Sequence, residues 1–119
     1  MSDWGDGRTE PEILEEEISA QTAVLRLRVP ADLLQFQGHF PDHPVLPGVA
    51  QLDWAVGFAR RCFGLGMPVR QVQQLKFKSL VPPGTVMQLT LHRTGDGISF
   101  LYQNDETVFS SGKVRLGNA

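Results

Sequence analysis

Cysteine is nearly absent from this chain of 119 residues: Cys62 stands alone. That excludes an internal disulfide and a cysteine-rich zinc site, and it fits a reducing, cytoplasmic setting. Long apolar runs are missing too. None approaches the roughly 20 residues that a membrane-spanning helix needs. The leading residues have neither the basic start nor the apolar stretch of a secretory signal, so none is expected. No internal repeat or low-complexity segment occurs. With 41% apolar and 20% charged residues, the composition is that of an ordinary globular protein. A chain of this length holds one core, not two.

Excess charge of one sign is also small, with a net charge of −2. Residues 1–20 hold seven acids against Arg8 alone, so the remainder carries a surplus of four positive charges. That is thin for nucleic-acid binding, but enough to favour an acidic partner if the bases cluster. Residues 1–11 read as a flexible acidic arm and residues 12–119 as the folded domain.

What is present is patterned. Thr22–Val29 alternates Ala23, Leu25, Leu27 and Val29 with more polar residues, the period of a half-buried strand. Pro30 ends it, and Ala31–Gln35 reads as one helical turn. Residues 36–48 contain three prolines and two glycines, which predicts a stiff irregular loop. Val49–Phe63 predicts a helix, with Val49, Leu52, Val56, Ala59 and Phe63 at spacings of three and four. Pro47 sits where a first helical residue would, Arg60 and Arg61 suit the last turn, and Gly64 stops it. Trp54, Ala55 and Phe58 make the other face apolar as well, so the helix is expected to be buried on most sides. Strand patterns then cover Val69–Leu80, Thr85–Arg93, Ile98–Gln103 and Thr107–Leu116, with turns at Pro82-Pro83-Gly84 and Gly95-Asp96-Gly97. The expected class is α+β: a curved antiparallel sheet wrapped around one central helix. So small a sheet leaves edges, which favours a dimer.

Three groups of chemical interest fall between residues 39 and 53. His39 lies in the stiff loop. Gly48 lies at the helix start, where N–H groups lack intrahelical partners. Asp53 lies among Leu52, Trp54, Ala55 and Val56, where an acid is costly to bury without a partner or a task. An imidazole to take an α-proton, an N–H to stabilise an enolate oxygen and a carboxyl to protonate a leaving group are the parts of a β-elimination. The bland readings differ: His43 braces the loop, His92 is a surface strand residue, and Cys62 is a small buried hydrophobe. His39, Asp42 and His43 do not suggest a metal site, because Pro41 and Pro44 prevent the helical i, i+4 face of zincin-type motifs.

The stretch His39-Phe40-Pro41-Asp42-His43-Pro44-Val45-Leu46-Pro47-Gly48-Val49-Ala50-Gln51-Leu52-Asp53 closely resembles the signature of the hotdog-fold 3-hydroxyacyl-[acyl-carrier-protein] dehydratases of the FabA/FabZ type. Lys76-Phe77-Lys78 through Val81-Pro82-Pro83-Gly84, and Gly112-Lys113-Val114, resemble later segments of that family. The run Pro44–Ala55 is most similar to the small ApeI-like dehydratases of aryl polyene biosynthesis. Asp42 departs from the family's usual glycine. Gly57 departs from a glutamine that many members carry, and the acid is Asp where the FabZ type has Glu.

The resemblance implies a hotdog domain that dehydrates a (3R)-hydroxyacyl thioester to the trans-2-enoyl thioester, in fatty acid or aryl polyene biosynthesis. It implies His39 as base, Asp53 as acid and the Gly48 amide as donor to the thioester carbonyl, with Phe40, Pro41 and Pro47 shaping the loop. No metal or other cofactor is implied. The substrate would ride on acyl carrier protein, contacted by Arg60, Arg61, Lys76 and Lys78. The assembly would be a homodimer, a set of dimers or a heterodimer with a paralogue, its site shared between subunits. Neither nucleic acid nor membrane is an expected partner. A hotdog acyl thioesterase and a non-catalytic acyl-binding partner subunit remain the alternatives.

Overall fold

A computed structural model describes residues 9–33 and 44–117. Its elements are β1 (Glu12–Ile18), β2 (Thr22–Arg28), α1 (Gly48–Phe63), β3 (Val69–Phe77), β4 (Val86–Thr94), β5 (Gly97–Gln103) and β6 (Val108–Leu116). The six strands form one sheet in the order β1-β2-β4-β5-β6-β3, and every neighbouring pair is antiparallel. The sheet curves around α1, which is the hotdog arrangement. The expected helix and five expected strands are present within a few residues of their predicted ends. Of the predicted turn at Ala31–Gln35, Leu33 N–H reaches the Pro30 carbonyl at 3.4 Å, and residues 34 and 35 lie outside the described residues.

Alternation builds the core. Ala23, Leu25 and Leu27 of β2 are fully buried, as are Leu89 and Leu91 of β4. Their register pairs Leu25 with Leu89 and Leu27 with Met87. From β5, Ile98, Phe100 and Tyr102 point inward, and from α1, Trp54, Ala55, Phe58 and Ala59. Gly95-Asp96 closes the β4–β5 hairpin with Thr94 opposite Gly97, so of the predicted turn Gly95-Asp96-Gly97 the last residue already belongs to β5.

Pro47 precedes the helix rather than opening it, because its ψ of 148° is extended. At the other end Gly64 takes φ 65° and its N–H reaches the Arg60 carbonyl. This is the left-handed cap that glycine adopts without a Cβ penalty.

Strand β1 is an addition to the sequence reading, which placed no strand before Thr22. Its acids pair with bases of the folded domain. Glu12 pairs with Arg28, Glu15 with Arg26 at 3.6 Å and Glu16 with Arg61 at 2.7 Å. The positive surplus assigned to the rest of the chain is therefore met largely by the acids of β1. Just before β1, Pro11 is buried and the Thr9 carbonyl accepts the Trp54 indole N–H at 2.9 Å.

Strand β3 forms the opposite edge and is little covered. Val72, Leu75 and Phe77 remain exposed on it, and Gln74 has φ 52° where the register with β6 shifts between Gln73 and Lys76. A bulge on an edge strand is a usual way of disturbing open-edge pairing.

Candidate active site

Gly48 and Asp53 are brought together by α1 itself. They are five positions apart, about 7.5 Å along the helix axis. No side chain caps the first turn, since Pro47 has none to offer. Ala50 and Gln51 N–H groups reach back to the Pro47 carbonyl at 3.1 and 3.2 Å. The earlier amides of Gly48 and Val49 thus have no acceptor inside the helix.

Gly48 is glycine for reasons of space. A Cβ there would lie 2.5 Å from Cζ of Phe77. The ring of an edge-strand residue, itself 51% exposed, therefore lies directly over the helix start.

Asp53 is not buried among its apolar neighbours, contrary to the expectation. It is exposed in the single chain, as are Val49 and Gly57. These three residues, four apart, make one open stripe down a helix otherwise packed into the core. Asp53 borders a surface cleft of about 330 Å³, along with Glu10, Gly57, Phe58, Arg60 and Arg61. A Cβ on Gly57 would meet nothing within 4 Å, so the departure from glutamine leaves open space beside the acid.

The basic residues divide into two kinds. Arg60 Nη2 donates to the Met67 carbonyl at 3.2 Å, and Arg61 Nη2 to Glu16 Oε2 at 2.7 Å. The Arg61 guanidinium also lies 5.2 Å from the Phe58 ring centroid. Both arginines thus brace the end of α1. Lys76 and Lys78 are exposed. His39, Phe40 and Pro41, together with Asp42 and His43, lie outside the described residues. Among the described residues, no cluster of His, Cys, Asp or Glu could hold a metal ion, and no helix is long and apolar enough to cross a membrane. Cys62 is half-buried and packs against the core. His92 is exposed on β4, with Nδ1 3.2 Å from Thr22 Oγ1.

Sequence reasoning missed a buried polar cluster behind the helix start. Gln51 Nε2 donates to the Leu46 carbonyl at 3.2 Å, and Gln51 Oε1 accepts from Ser110 Oγ at 2.6 Å. The Tyr102 hydroxyl donates to the Gln51 main-chain carbonyl at 2.7 Å. Burial pushes the Tyr102 phenol well above its ordinary range, and the charges of Asp53 and then Glu10 add to this. It therefore remains a donor. The available signal was Gln51 itself, a polar residue three and four positions before the core residues Trp54 and Ala55.

The comparisons agree with this fold. The chain is 29% identical to the "Dehydratase Heterocomplex ApeI:P" from Xenorhabdus doucetiae, with a TM-score of 0.86 over 92% of this chain and 99% of that one. It is 33% identical to a protein of known structure from Erwinia carotovora subsp. atroseptica, with a TM-score of 0.77 over 90% and 95% of the two chains. Among curated proteins, it is 33% identical over 84 residues to the 3-hydroxyacyl-[acyl-carrier-protein] dehydratase FabZ of Natranaerobius thermophilus, covering 59% of this chain and 58% of that protein. A second FabZ, from Protochlamydia amoebophila, is 38% identical over 55% of this chain and 44% of its own length. The chain thus spans about half the length of the curated relatives it matches. The ApeI-like family, described as ApeI dehydratase, matches residues 15–113, and the chain belongs to that family.

Proposed function

We propose that the protein dehydrates a (3R)-hydroxyacyl thioester, carried on acyl carrier protein, to the trans-2-enoyl thioester. The observation that carries this reading is the pairing of an uncapped helix start at Gly48 with a solvent-facing carboxyl at Asp53, on the first two turns of one helix. His39, by resemblance, takes the C2 proton. The Gly48 amide stabilises the enolate oxygen that develops. The C3–O bond then breaks, and Asp53 supplies the proton with which the hydroxyl leaves as water.

A single chain does not complete this site. Val49 is 75% exposed and Leu80 74%, beside the open edge of β3. We assign that surface to a second copy of the chain, with the site shared across the interface. The name of the similar ApeI:P heterocomplex supports a paired assembly and makes a paralogous partner the competing outcome. Lys76 and Lys78 carry the docking of an acidic carrier protein, while Arg60 and Arg61 add charge from fixed positions. A cytoplasmic setting keeps the lone Cys62 reduced.

The test is incubation with 3-hydroxyacyl thioesters, following enoyl absorbance and free thiol separately. Enoyl formation without thiol release is the expected result. Thiol release without enoyl formation would establish a thioesterase instead, and neither change would favour a non-catalytic partner subunit.

A further inference from the structure

Three polar side chains meet inside the apolar core where α1 begins. Gln51 is 3% exposed, and Ser110 and Tyr102 are fully buried. Burying such groups costs desolvation, and replacing both members of a hydrogen-bonded pair by apolar groups of similar shape is often neutral for stability. For the Gln51–Ser110 pair, apolar contact would thus fill the space equally well. Hydrogen bonds add what apolar contact lacks, a fixed direction and distance.

The element they fix is the chain's entry into the helix. Leu46, two residues before Gly48, is held at both of its backbone groups. Its carbonyl accepts from Gln51 Nε2 at 3.2 Å, and its N–H donates to the Val81 carbonyl at 2.8 Å. Gln51 is in turn held by Ser110 of β6 and Tyr102 of β5. Among the described residues, no side chain caps the first amides of α1. Gln51 lies two residues from Asp53, about 200° around the helix, so it faces the core while the acid faces solvent.

We propose that Gln51 is a positioning residue. Supported by Ser110 and Tyr102, it holds Leu46 and thereby aims the Gly48 N–H at the thioester carbonyl, without touching substrate. This rests on the dehydratase reading above.

The test uses the full-length chain with Gln51→Met and Ser110→Ala combined, so that no hydroxyl is left unpaired. Melting temperature, kcat and KM for a short pantetheine-linked 3-hydroxyacyl substrate, and amide exchange at Leu46 are measured together. The variant leaves the Leu46 carbonyl without its Gln51 donor, so a modest fall in melting temperature is expected. Positioning predicts kcat lowered about tenfold or more with little change in KM, because misaimed donors act on the transition state. Leu46 N–H exchange should quicken by about tenfold more than the change in global stability accounts for. A kcat within about twofold of wild type, with Leu46 exchange unchanged, overturns the proposal. If the double variant does not fold, Tyr102→Phe decides by the same readouts, because it removes one hydroxyl and keeps the ring. If the wild-type protein forms no enoyl product, the dehydratase reading falls, and Leu46 exchange alone then decides whether Gln51 holds the entry.

Discussion

Replacing Asp53 by Asn separates chemistry from folding. In the described structure Asp53 is exposed, and it forms no ion pair or hydrogen bond there. It is the sixth residue of α1, beyond the first turn where the helix dipole acts on charge. Losing its charge therefore falls among the surface substitutions that change stability by about 0.5 kcal/mol or less. For a domain of this size that is a shift of no more than about 3 °C in Tm. As the proton donor to the leaving hydroxyl, however, it should contribute about 10²–10⁴-fold in rate, or about 3–5 kcal/mol of barrier. The paired assay is a thermal melt and a progress curve of enoyl absorbance on the same preparation. The expected outcome is an unchanged melt with turnover reduced by at least about a hundredfold. Two results refute the reasoning: turnover within a few fold of wild type, or activity and Tm falling together, which would make Asp53 a structural residue.

Mixing His39→Ala with Asp53→Asn, each inactive alone, should restore about a quarter of wild-type activity after subunit exchange, because half the dimers are mixed and each mixed dimer has one intact site. No recovery despite confirmed exchange would place both residues in one subunit's site. Lys76→Glu with Lys78→Glu should raise KM for carrier-bound substrate and reduce its salt dependence, while leaving a short pantetheine substrate unaffected; equal losses on both would remove these lysines from carrier docking. Gly48→Ala should stay folded, because the half-exposed Phe77 ring can swing aside, but should lose kcat as the ring and helix start shift; unchanged kcat would show that this close approach is incidental. The raised Tyr102 pKa has no effect on stability below the unfolded phenol value of about 10. Above it the unfolded chain ionises first and stability falls with rising pH. Tyr102→Phe should flatten that alkaline decline in unfolding measurements, and an unaltered slope would assign it to other groups.

How much of this was legible in the sequence depended on burial. Strands β2, β4 and β5 put one face into the core, so their alternation is clean and their positions were readable. Strand β1 was missed because it is an edge. Its Ile13 and Ile18 stay exposed, and the run Glu15-Glu16-Glu17 interrupts any alternation. Backbone pairing with β2 and ion pairs to Arg26, Arg28 and Arg61 hold it, and neither leaves a periodic signature. The helix showed the converse problem. Apolar residues on all sides of α1 hid which stripe is open, so Asp53 was expected inside and lies outside. The spacing of His39 and Asp53 was readable, but the cluster of Gln51, Ser110 and Tyr102 was not. Tyr102 and Ser110 lie 51 and 59 positions from Gln51 and meet it only through the order in which β5 and β6 join the sheet.

The open stripe of α1 and the open edge of β3 are joined through one residue. Phe77 ends β3 and lies over Gly48, so whatever covers the edge strand also bears on the helix start. Behind that start, Gln51 and Leu46 tie the same turn to β5, β6 and Val81. The amide assigned to the thioester carbonyl is thus fixed from the core side within one chain and left uncovered on the outer side. A second subunit settling on β3 would close that side and shed water from the cleft beside Asp53, where donor and acid interactions strengthen as the local dielectric falls. On the proposed assembly, pairing of subunits and completion of the site would follow from the same contact.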